Sequence, residues 1–133
     1  MTKKAPDTEK AADTQEAADA LVDVSALEAA LQAFADARDW NRFHSPKNLA
    51  MALTGEVGEL VEIFQWLTEA QSAEVARDPT TAQAVRDELA DVLIYLVRLA
   101  SVLGVDLDAA VREKLEANAR RYPAMDQGGN PSR

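Results

Sequence analysis

Four acidic residues offer the clearest chemistry in this sequence. Glu56 and Glu59 stand three positions apart, and so do Glu88 and Asp91. On a helix that spacing stacks two carboxylates on one side, close enough to share a hard cation. Two such pairs facing each other form a cage of oxygen ligands, the donor set of Mg²⁺, Mn²⁺ or Ca²⁺. The chain has no cysteine, so thiolate sites and disulfides are excluded. Its one histidine, His44, lies outside both pairs. A di-iron bundle needs Glu-x-x-His on two helices, so redox chemistry on iron is not expected.

Acids are abundant here, with 23 Asp and Glu against 14 Lys and Arg, and most acid pairs in such a chain mark a solvated face. Position separates these pairs from the rest. At about 100° per residue, Leu49, Leu53, Leu60, Ile63, Phe64 and Leu67 fall on one helix face, and Glu56 falls among them. Glu59 lies at the edge of that face, whereas Glu62 and Glu69 lie well outside it. On the next long helix Leu89, Val92, Leu93, Leu96, Leu99 and Leu103 form the expected stripe, flanked by Glu88, Asp91 and Tyr95. A carboxylate inside an apolar face must be protonated, paired or bound to a cation, because burying an isolated charge costs more than a fold can absorb.

The last helical stretch carries the basic counterpart. Leu107, Val111, Leu115 and Tyr122 make its apolar face, with Asn118 at the centre and Lys114 and Arg121 at the edge. A phosphate chain bridging a metal and these cations would satisfy both. Trp40, Phe43, His44 and Trp66 supply aromatic surface on which a base can stack. The net charge of −9 disfavours binding to a nucleic-acid polymer, while a small anion can bind where a metal intervenes.

The elements that must position these residues are helices. With 133 residues and only five Gly and five Pro, one core built from helices is expected. Ser25 and Glu28 have capping-box spacing and open a helix running to about Arg38. After DWNRFHSP, Ser45 as N-cap and Pro46 at the first helical position begin a second helix, expected to reach about Glu69. Gln71 to Asp78 reads as a short helix or loop, and a third long helix covers about Thr81 to Leu103, closed by Gly104. Asp106 caps a last helix that ends near Tyr122-Pro123. The expectation is an all-α four-helix bundle over 23–123, between a disordered tail at 1–22 and a flexible end at 124–133. The start has no apolar leader segment and no stretch is long enough to span a membrane, so a cytoplasmic protein is expected.

Four stretches together carry a family resemblance: RDWNRFHSPKNL at 38–49, GEVGELVEIFQW at 55–66, DELADVLIYL at 87–96 and KLEANARRYP at 114–123. The chain resembles the MazG-like all-α nucleoside triphosphate pyrophosphohydrolases, most closely their short dCTP pyrophosphatase branch. The resemblance implies Mg²⁺, with Mn²⁺ as a substitute, on Glu56, Glu59, Glu88 and Asp91, and a catalytic role for Glu56 and Glu59. It implies that Trp40, His44 and Trp66 border a base pocket and that Lys47, Tyr95, Lys114, Asn118 and Arg121 approach sugar or phosphates. The implied reaction hydrolyses a (deoxy)nucleoside triphosphate, first of all dCTP or a modified dCTP, to monophosphate and pyrophosphate, in a homodimer or homotetramer. A house-cleaning hydrolase of other non-standard nucleotides, or a non-catalytic nucleotide-binding module, are the alternatives. Two positions depart from the pattern: Gly55 stands where many MazG-like proteins have a further Glu, as in the dCTPase branch, and Leu31 stands where the animal dCTPases carry a base-reading His.

Overall fold

The structure, a computed structural model, describes residues 19–130. Among these residues it is all-helical, with no β-strand. The helices are α1 (Ser25–Ala37), α2 (Pro46–Phe64), α3 (Glu69–Ala73), α4 (Ala82–Leu103) and α5 (Leu107–Arg121), with a 3₁₀ turn at Asn41–Phe43 between α1 and α2. The chain divides into two compact units. The first spans 24–105 and holds α1 to α4; the second joins the segment before α1 to α5 and the residues after it. Residues 1–18 of the expected N-terminal tail, and 131–133 of the expected C-terminal one, lie outside the described residues.

In the first unit α2 packs along α4, and α1 lies against α4. The long helices start and stop where local chemistry directs. Ser45 accepts the Asn48 N–H in its side chain at 3.2 Å, and Pro46 follows at the first helical position. Gly104, at φ +67°, closes α4 in the left-handed conformation that glycine adopts without steric cost.

One boundary and two capping interactions differ from expectation. Val24, not Ser25, occupies the N-cap position of α1, because the Glu28 N–H already bonds the Val24 carbonyl at 2.8 Å. The second helix stops at Phe64 instead of Glu69, since Thr68 and Gln71 form a reciprocal capping box that begins α3. Thr81 does sit at the N-cap of α4, but its hydroxyl donates backwards to the Val75 carbonyl at 2.7 Å rather than accepting from the helix.

The stripe of α2 lies as the sequence predicts: Leu49 is buried, and Leu53, Glu56, Leu60, Ile63, Phe64 and Leu67 are half-buried, while Glu59, Glu62 and Glu69 are exposed. On α4 the expected stripe is corrected. Leu89, Leu93, Leu96 and Leu103 are exposed, and the inward side is Val85, Glu88, Asp91, Val92, Ile94, Tyr95, Val97 and Arg98. This helix is apolar on more than one side, so hydropathy does not decide which side faces α1 and α2. Arg98 turns inward, where it finds three hydrogen-bond partners.

In the second unit the Asp106 side chain caps α5 by accepting the Ala109 N–H at 3.0 Å. One oxygen of Asp108 accepts the N–H groups of Leu21 and Val22 at 2.7 and 3.0 Å, and the other accepts from Arg112 Nε at 2.9 Å. Arg112 also donates to the Asp19 carbonyl, so two side chains of α5 hold the segment before α1. After α5, Asp126 organises a turn by accepting the Gly128 and Asn130 N–H groups. No helix among the described residues is long and apolar enough to cross a membrane.

Leu49 and Val97 are the largest fully buried side chains of the described fold. Leu49→Ala is therefore expected to cost about 2–5 kcal/mol, read as a lowered urea midpoint, whereas the exposed Leu89→Ala in the isolated chain should cost far less.

Candidate active site

The pairing of α2 with α4 brings the carboxylates together. One oxygen each from Glu56, Glu59 and Glu88 lies within 4.8 Å of the other two. Asp91, one helical turn after Glu88, falls outside that cluster and lines the adjoining cavity. Its charge still acts on Glu56. Glu56 is pushed up to about 7, first by burial and then by the charges of Glu59 and Asp91 and by hydrogen bonding with Glu59 and Glu88. Glu88 is raised too, again by burial first and then by the Glu59 charge.

Two oxygens of this cluster, Glu56 Oε2 and Glu88 Oε2, are buried and have no hydrogen-bond partner in the protein. Buried polar atoms are nearly always satisfied, so orphaned oxygens directed into an acidic cluster fit a cation. The donor set contains only oxygen, which suits a hard divalent ion. Two ligands of one ion can lie no farther apart than twice the metal–oxygen distance, about 4.2 Å for Mg²⁺ and about 5 Å for Ca²⁺. The three glutamates meet the larger limit as they stand, and the smaller one after a closure of at most about 0.6 Å.

Beside the cluster opens a cavity of about 260 Å³ lined by Leu31, Phe34, Trp40, His44, Asp91, Ile94, Tyr95 and Arg98. Its walls come from α1, from the connection to α2, and from α4. Asp39, at φ +53°, takes the left-handed conformation that Asp and Asn tolerate best among non-glycine residues and turns the chain back on α1. The Trp40 N–H then closes on the Ala35 carbonyl at 3.0 Å. Trp40 meets Phe34 edge-on at 5.6 Å between ring centres and His44 at 6.3 Å. Asn48 of α2 ties this connection down by donating to the Phe43 carbonyl at 3.0 Å.

Of the residues singled out in the sequence, the structure gathers Glu56, Glu59 and Glu88 in one cluster, and Trp40, His44, Asp91 and Tyr95 in the wall of one cavity. Trp66 stands 87% exposed in the turn after α2 and does not line that cavity. Lys47 is exposed on the first turn of α2. Lys114, Asn118 and Arg121 lie on α5 in the second unit, Asn118 half-buried and both cations exposed.

Sequence reasoning missed the most connected residue of this wall. Arg98 is 5% exposed and donates from Nε to His44 Nδ1 at 3.0 Å, from Nη1 to Gln32 Oε1 at 2.7 Å and from Nη2 to Asn41 Oδ1 at 2.8 Å. The amide groups of Gln32 and Asn41 in turn donate to Asp36 Oδ1 at 2.7 and 2.6 Å. Those two bonds, and behind them the Arg98 charge, hold the Asp36 carboxyl below the usual range. The available signal was a single cation in the apolar run LIYLVRLASVL.

A family model described as MazG-like matches residues 52–132, and the chain belongs to the MazG-like family. Within it, the chain is 50% identical over 104 residues to human dCTP pyrophosphatase 1, covering 78% of this chain and 59% of that protein. It thus spans about three fifths of the curated dCTP pyrophosphatases it matches. It is 33% identical over 106 residues to a dATP/dGTP diphosphohydrolase of Cyanophage S-2L, covering 79% of this chain and 83% of the phage protein. The crystal structure of a pyrophosphatase from Archaeoglobus fulgidus superimposes with a TM-score of 0.66 at 34% identity, covering 92% of this chain and all of that one.

The raised Glu56 carboxyl sets a pH dependence. Its folded value, about 7, exceeds the ordinary value of 4.5, so folding takes up a proton between the two. This contribution is present in full below about pH 4.5 and is lost as the pH rises through about 7. The urea midpoint of the metal-free protein should therefore fall between about pH 5.5 and about pH 8, and Glu56→Gln should flatten that fall. Mg²⁺ should restore the midpoint at the alkaline end with release of protons; a midpoint indifferent to pH and to metal would contradict the charge crowding.

Proposed function

We propose that the protein is a Mg²⁺-dependent nucleoside triphosphate pyrophosphohydrolase, with dCTP or a modified dCTP as the preferred substrate. The observation that carries this reading is the cluster of Glu56, Glu59 and Glu88, with two orphaned buried oxygens, directly beside an aromatic cavity into which Asp91 reaches. An acidic cluster alone repels a triphosphate, so the site works on one only through a cation. The name of the human relative agrees with dCTP as substrate, and those of the phage and archaeal relatives with phosphoanhydride hydrolysis.

In this reading Glu56, Glu59, Glu88 and Asp91 hold Mg²⁺, or Mn²⁺ in its place. When bound there, such an ion supplies Lewis-acid polarisation of the phosphate and a lowered pKa for an adjacent water. The protein's own residues do the rest. Trp40 offers a ring face to the base, and Leu31, Phe34 and Ile94 exclude water around it. Tyr95 lies in the same wall, and its role in this reading is to meet the sugar. A water oxygen bonds the α-phosphorus while the bond from that phosphorus to the bridging oxygen of the β-phosphate breaks, and pyrophosphate departs with the electron pair. The proton lost by the water passes to a carboxylate oxygen of Glu56 or Glu59. Lys47, Trp66 and, on α5, Lys114, Asn118 and Arg121 keep the substrate-binding roles that the sequence resemblance implies for them.

Association into homodimers or homotetramers belongs to the same proposal. Its support is the row Leu89, Leu93, Leu96 and Leu103 on α4, with Val57 and Val61 on α2, all exposed in the single chain.

Glu59→Gln and Asp91→Asn should each lower Mg²⁺-dependent pyrophosphate release from dCTP by about a hundredfold or more, with circular dichroism and thermal melting unchanged. Near-normal turnover in either variant would remove that residue from the machinery. A screen over dCTP, modified cytidine nucleotides, dATP and dGTP separates the cytosine reading from a purine preference like the one the phage relative is named for. Binding without pyrophosphate release would indicate a non-catalytic module.

A further inference from the structure

Arg98 is an unusual component of this wall: a buried guanidinium that, among the described residues, forms no direct ion pair. Its three bonds end on neutral groups, His44, Gln32 and Asn41. The compensating charge stands one layer out. Gln32 and Asn41 turn their oxygens to Arg98 and their amide nitrogens to Asp36, so each amide dipole is aligned between cation and anion. This arrangement fixes the guanidinium by three contacts from two elements, α1 and the connection after it.

The consequence falls on His44. An arginine Nε can only donate, so the imidazole nitrogen facing it at 3.0 Å must accept, and the ring proton belongs on Nε2. Burial and the Arg98 charge both disfavour a second proton on that ring. The acceptor capacity of Gln32 and Asn41 that faces Arg98 is already taken by it. Arg98 and His44, both in the lining of that cavity, therefore have only donors to offer beyond these bonds: an imidazole N–H and the guanidinium N–H groups left over from five after three bonds.

We propose that Arg98 is a positioning residue that locks His44 as its Nε2–H tautomer, and that the donors of this pair select a base whose edge carries adjacent acceptors, as O2 and N3 of cytosine do. Uracil and thymine place a hydrogen on N3, which meets a donor head-on and leaves buried groups unpaired. The inference rests on reading the cavity as the base pocket of a nucleotide hydrolase. It supplies a base-reading device at a site where Leu31, an apolar side chain, contributes none.

The test uses the full chain with its single histidine labelled with ¹⁵N, so that one imidazole accounts for the whole histidine signal. Long-range ¹H–¹⁵N correlation at neutral pH should show one neutral ring protonated at Nε2. In Arg98→Met the ring should shift to a mixture containing the Nδ1–H form or the cation. The preference for dCTP over dUTP in kcat/KM should fall about tenfold or more, carried mainly by KM for dCTP. Arg98→Lys keeps a charge and a donor without the planar fork and should fall between the two, and it serves as the variant of record if thermal melting shows that Arg98→Met does not fold. An Nδ1–H ring in the unaltered protein overturns the proposal, as does a folded variant that keeps both tautomer and preference. If no nucleoside triphosphate is hydrolysed, the functional reading fails while this one is still decided: the tautomer is read without turnover, and titration with dCMP and dUMP at the same nitrogen must favour dCMP.

Discussion

Everything at this site depends on three glutamate carboxylates held within 4.8 Å of one another between two packed helices. Like charges at that separation repel strongly where water is scarce, so the α2–α4 pair is comfortable only with a proton or a cation between them. The position of Glu56 at about 7 is the protein's own answer in the absence of a cation. The packing that stabilises the fold thus creates a demand that a divalent ion would meet.

The same helix carries the opposite problem at its other end. Glu88 and Asp91 bring negative charge to α4 that needs a cation, whereas Arg98 brings a buried positive charge that needs an anion. The two are solved by different neighbours. Glu88 meets the glutamates of α2, while the guanidinium is met by amides from α1 and the connection beyond it, with Asp36 behind them. That division explains why the short stretch between α1 and α2 is so dense in polar and aromatic residues: it closes the electrostatics of α4 and walls the cavity at once.

The carboxylates were legible in the sequence because Glu56 interrupts an otherwise apolar face and its partners repeat the spacing. Caps were legible where a single side chain decides, as at Ser45, Gly104 and Asp106. The inward face of α4 was not. Its leucines outline a clean helical stripe, yet Leu89, Leu93, Leu96 and Leu103 lie outside while Val92 and Leu99 of the same stripe are half-buried, because a helix apolar on several sides is not oriented by hydropathy alone. Arg98 was hidden for a related reason. Its partners Gln32 and Asn41 are remote in sequence and neutral, so no charge pattern announces them, and only the turn at Asp39 brings Asn41 beside Gln32 and Asp36.

The leucine row on α4 has a consequence in colloidal terms. A chain of net charge −9 repels its copies at a distance, while burial of Leu89, Leu93, Leu96 and Leu103 against a second copy would favour contact. Dissolved salt screens the first of these forces, shortening its reach to about 8 Å at physiological ionic strength, and does not screen the second. Association through such a face is therefore favoured by rising ionic strength, the reverse of an interface held by ion pairs, and dilution into low-salt buffer is the condition that most favours the single chain.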